Sequence, residues 1–132
     1  MADLIISIPA EHLDKLYSAI ETIDDVFRNL FREWLSTRAK YADDVSDINC
    51  QLTVIREVIA HCDFTMLDTN SKFARFSIFI EDLTKLLKEL QVFRIRHRPN
   101  FTGDRVLIDN RFSYALSEIA ISLNLMHPYL KT

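Results

Sequence analysis

Glycine occurs once in this chain of 132 residues and proline three times, and the run from Ala10 to Arg98 contains neither. Strands joined by tight hairpins draw on both residues at their turns, so so poor a supply argues against a β architecture. Cysteine is also scarce. Cys50 and Cys62 lie in one apparent helix, too far apart to bridge each other, which excludes a disulfide framework and favours a reducing, cytoplasmic compartment. No stretch approaches the roughly 20 apolar residues needed to span a bilayer. Leu4-Ile5-Ile6-Ser7-Ile8 is apolar but lacks the basic flank and small-residue cleavage site of a signal peptide. A single glycine leaves no glycine-rich loop to cradle a phosphate. Charge of one sign is missing too: the net charge of −3 predicts no general affinity for polyanions.

What is present is helical periodicity. Leu13, Leu16, Ile20, Ile23, Phe27, Leu30 and Trp34 alternate three- and four-residue steps, the pattern of a helix with one buried face. Pro9 suits the first turn of that helix, and Glu11 and Asp14 suit its positive end. The register fails after Trp34, so a break is expected between Ser36 and Asp44. A second register begins at Tyr41 or Val45 and runs through Ile48, Leu52, Ile55, Ile59 and Cys62, with Asp43, Asp44 and Asp47 crowding its expected start and Ser46 a candidate cap. Thr69 or Asn70 is the expected cap of a third helix carrying Phe73, Phe76, Ile80, Leu83, Leu87 and Leu90, flanked by Phe79, Leu86 and Phe93. From Arg94 the pattern stops, and the segment to Gly103 reads as a loop. Asp104 would cap a fourth helix with Ile108, Phe112, Ala115, Ile119 and Leu123 on one side, ended by Pro128. The expectation is one all-α domain over 1–132. It is an antiparallel up-down four-helix bundle with helices at about 10–40, 44–62, 71–93 and 105–126. Residues 1–8 form a short apolar arm laid across its open end.

The most distinctive charged feature is basic. Arg94, Arg96, His97, Arg98 and Arg105 stand close together against Asp104, whereas Asp43 to Ser71 holds six acids and Arg56 alone. Such polarity can turn a protein toward an anionic surface. The alternative is a solvated loop whose arginines pair with nearby acids. His61-Cys62-Asp63 resembles a nucleophile or a metal corner, but the companion ligands are missing: there is no C-x-x-C and no H-E-x-x-H. Glu57 and His61, one turn apart, are expected to pair with each other. Glu21, Asp24 and Asp25 read as solvated carboxylates on the outer side of the first helix. Tyr17, Phe31 and Leu35 lie on the shoulders of that helix and are the candidate strip for a docked partner helix.

Ser71-Lys72-Phe73-Ala74-Arg75-Phe76 leading into Glu81-Asp82-Leu83, together with Asn110 to Ile119, resembles the N-terminal executioner bundle of the mixed-lineage-kinase-domain-like pseudokinase and the related HeLo-like bundles of fungal and plant immune receptors. The likeness is one of pattern, not of a fixed motif. It implies self-association, engagement of anionic phospholipid, a role in cell death or immunity, recruitment from cytoplasm to membrane, and control by a domain outside this sequence. The basic face is narrower here than in that family. The expected function is therefore a non-enzymatic bundle that self-associates or engages acidic lipid through Arg94, Arg96, His97, Arg98 and Arg105. The alternative is an adaptor for a helical protein partner with no membrane role. An enzyme built on His61 and Cys62 ranks third. No cofactor, metal or small-molecule substrate is expected, and a lone basic cluster on an acidic chain is a thin footprint for nucleic acid.

Overall fold

A computed structural model describes residues 6–37, 39–97 and 106–131, with the backbone alone for 30–37, 39–42 and 131. The elements are β1 (Ile6–Ser7), α1 (Ala10–Thr37), α2 (Ala39–His61), β2 (Met66–Leu67), α3 (Asn70–His97), α4 (Val106–Met126) and a 3₁₀ turn over His127–Lys131. The four helices form an all-α antiparallel bundle. α1 packs most extensively on α4 and α2, and α3 closes the arrangement against α2 and α4.

The stripes expected from the sequence are the core. Leu13, Leu16, Ile20, Ile23 and Phe27 of α1 meet Val45, Ile48, Leu52 and Ile55 of α2, Phe76 to Phe93 of α3, and Phe112 to Met126 of α4. Apolar area leaving water drives this assembly, each large aliphatic or aromatic side chain contributing about 1.5–3 kcal/mol. The apolar arm is pinned: β1 pairs antiparallel with β2, Ile6 opposite Leu67, and Ile8 N–H donates to Thr65 O at 2.9 Å. Ile6 and Ile8 are buried as a result. Thr69 is the cap of α3, its hydroxyl oxygen accepting from Lys72 N–H at 3.1 Å.

Several boundaries differ from expectation. α2 starts at Ala39, so Asp43, Asp44 and Asp47 lie beyond its first turn and Ser46 is no cap. α3 runs on to His97, which places Arg94, Arg96 and His97 on a helix and not in a loop. His97 is 1% exposed. It continues the buried row Leu90–Phe93, one turn beyond Phe93, so a polar residue occupies a core position and hides the periodicity. α4 ends at Met126, ahead of Pro128 as expected, and a 3₁₀ turn over His127–Lys131 follows it. The readings at Leu4, Ile5 and Asp104 lie outside the described residues, as do the side chains of Leu30 and Trp34.

Candidate interaction surfaces

At the C-terminal end of α3 the basic residues are already engaged. Arg94 forms a two-pronged pair with Asp109 of α4, Nε to Oδ1 at 2.8 Å and Nη2 to Oδ2 at 3.1 Å. The shared hydrogen bond and the opposing charge hold the guanidinium in its ionised form. Arg96 Nη1 meets Asp44 Oδ2 at 3.1 Å, and His97 Nε2 meets the same oxygen at 3.2 Å. An ionised carboxylate only accepts, so Nε2 is the ring nitrogen that carries the proton. Burial lowers the His97 pKa from its ordinary value, outweighing the hydrogen bond and the charge of Asp44, which raise it. Thus α2 supplies Asp44 and α4 supplies Asp109 to tie the end of α3 into the bundle. Arg98 and Arg105 lie outside the described residues.

His61, Cys62 and Asp63 are not brought together as a reacting set. His61 is exposed and pairs with Glu57 at 3.2 Å. Asp63 Oδ1 accepts from Thr65 N–H at 2.9 Å and from the Thr65 hydroxyl at 2.6 Å, which lowers its pKa from the ordinary carboxylate value. No group of three or more His, Cys, Asp or Glu among the described residues is arranged to hold a metal ion. Tyr17 is half-buried against the core, beside a groove of about 430 Å³ shared with Asp14, Cys62 and Asp63. Burial first, then the negative charges of Asp63 and Asp14, push its phenol up to about 12. Phe31 and Leu35, its companions in the proposed strip, have no described side chains.

The carboxylates of α1 depart from expectation. Asp24 is buried, not solvated, and meets Arg28 Nε at 2.9 Å and Arg56 Nη1 at 3.3 Å. Arg56 also grips Glu21, Nε to Oε1 at 2.9 Å and Nη2 to Oε2 at 3.3 Å, and Asp25 meets Arg111 at 3.0 Å. The Asp24–Arg28 pair lies within α1, whereas Arg56 joins α1 to α2 and Arg111 joins it to α4.

The surface that sequence reasoning passed over is the outward face of α4. Its exposed residues are Val106, Leu107, Asn110, Arg111, Tyr114, Ser117, Ile121, Asn124 and Leu125. Arg111 alone is charged, and Asp25 holds it. On α3, by contrast, eight of fifteen exposed residues carry charge. Leu107 is 71% exposed, Tyr114 70%, Ile121 54% and Leu125 44%. At 100° per residue the uncharged positions fall on one arc of roughly 100°. A signal was present: the span from Val106 to Met126 holds only Asp109, Arg111 and Glu118 as charged residues, and its apolar residues encircle the helix. A helix that is apolar all round belongs between neighbours on every side. Here one side faces solvent. Comparison with protein-family models, with curated proteins and with solved structures finds nothing that matches this chain.

Proposed function

We propose that this chain is a non-enzymatic protein-interaction module: a rigid four-helix scaffold that presents the outward face of α4 for docking. The observation that carries this reading is the exposure of Leu107, Tyr114, Ile121 and Leu125 on a face whose one exposed charged residue, Arg111, is paired with Asp25. Exposed apolar residues scattered singly are ordinary, but aligned along three to five turns of one helix they mark an interaction site. The lipid-facing alternative rests on Arg94, Arg96, His97, Arg98 and Arg105. Carboxylates engage Arg94 and Arg96, and His97 is buried, which leaves the described part of that cluster little outward field.

Two measurements test the choice. A photo-crosslinking analogue in place of Tyr114, in the full chain expressed in its native cells, is expected to give a discrete protein adduct, and the same analogue at Lys85 on α3 is not. Equal labelling at both positions would overturn the reading. Sedimentation with phosphatidylserine vesicles, sensitive to replacement of Arg94 and Arg96 by glutamate, would transfer the function to the lipid alternative.

A further inference from the structure

We draw no further inference here: the strongest candidate, the apolar groove between α2 and α3 that Val54, Val58, Ile78 and Phe79 line between Arg75 and Asp82, carries none because nothing in the structure shows what covers it.

Discussion

Asp24 sits one residue from the buried row of α1 and is nearly as inaccessible as its apolar neighbours, because two guanidiniums reach it. A buried carboxylate is tolerated only when its charge is matched. Arg56 supplies half of that match and binds Glu21 as well, so Arg56→Ala is expected to destabilise the fold by about 1–3 kcal/mol, read from the urea midpoint. Lys85→Ala, whose partner Glu81 is as exposed as itself, should change little. His97 poses the converse problem, a buried base. Its folded pKa lies below the ordinary 6.5, so as pH falls through that value the unfolded chain takes up a proton before the folded chain does. The stability contributed by neutral His97 is complete above 6.5. It declines as pH falls toward the lowered folded value and levels off beneath it. Unfolding midpoints measured across this window should fall in the wild type, and His97→Gln, which keeps a donor for Asp44, should flatten that descent.

Among the elements, the three-four spacing located the four helices because each buries a continuous stripe. It failed where a polar side chain does apolar work. His97 fills the position one turn after Phe93, and its imidazole broke a pattern that counts only hydrocarbon, so α3 reads four residues short. The acids of α2 misled in the opposite way. They looked like dipole partners at a helix start, whereas Asp44 is directed to α3, a contact that no local rule contains. Asp24 has one local partner, Arg28 a turn away, but its burial also depends on Arg56 of α2, which is distant in sequence. The face of α4 carries no charged or periodic signal; its mark is the scarcity of charge between Val106 and Met126. The arm, in contrast, was readable from Ile6 and Ile8, and its partner strand was not, because two residues carry no period. That bridge makes a prediction of its own. Ile8 is 2% exposed and its N–H is spent on Thr65. Ile8→Ala should cost about 2–5 kcal/mol in urea unfolding, and Pro9→Ala, on an exposed residue, far less.

For the molecule as a whole, the question is whether the two ends of the bundle are held separately. Each has its own aromatic cluster. Phe64 lies against Phe76 and Phe79, ring centroids 5.4 and 5.2 Å apart, beneath the β1–β2 bridge. Phe27 joins Phe93 at 4.9 Å and Phe112 at 5.7 Å at the far end, with the Phe93 and His97 rings 4.4 Å apart and tilted by 52°. Phe76 and Phe93 are roughly 25 Å apart along α3, at 1.5 Å per residue. Yet the aliphatic rows between them, Ile80, Leu83, Leu86, Leu87 and Leu90, are buried without interruption against α1, α2 and α4, so the clusters belong to one core. A close-packed interior of this size unfolds as a unit. Phe64→Ala is therefore expected to remove about 3–5 kcal/mol from global stability and not merely to loosen its own end. Hydrogen exchange should show this directly. Amides near Phe112, at the opposite end of the bundle, should lose protection by the same free energy as those near Phe76, with a single urea transition and an unchanged slope. Protection lost only around Phe64 and Phe76 would mean that the bridge end opens by itself. The rigidity assigned to the scaffold behind the α4 face would then hold for one half of it alone.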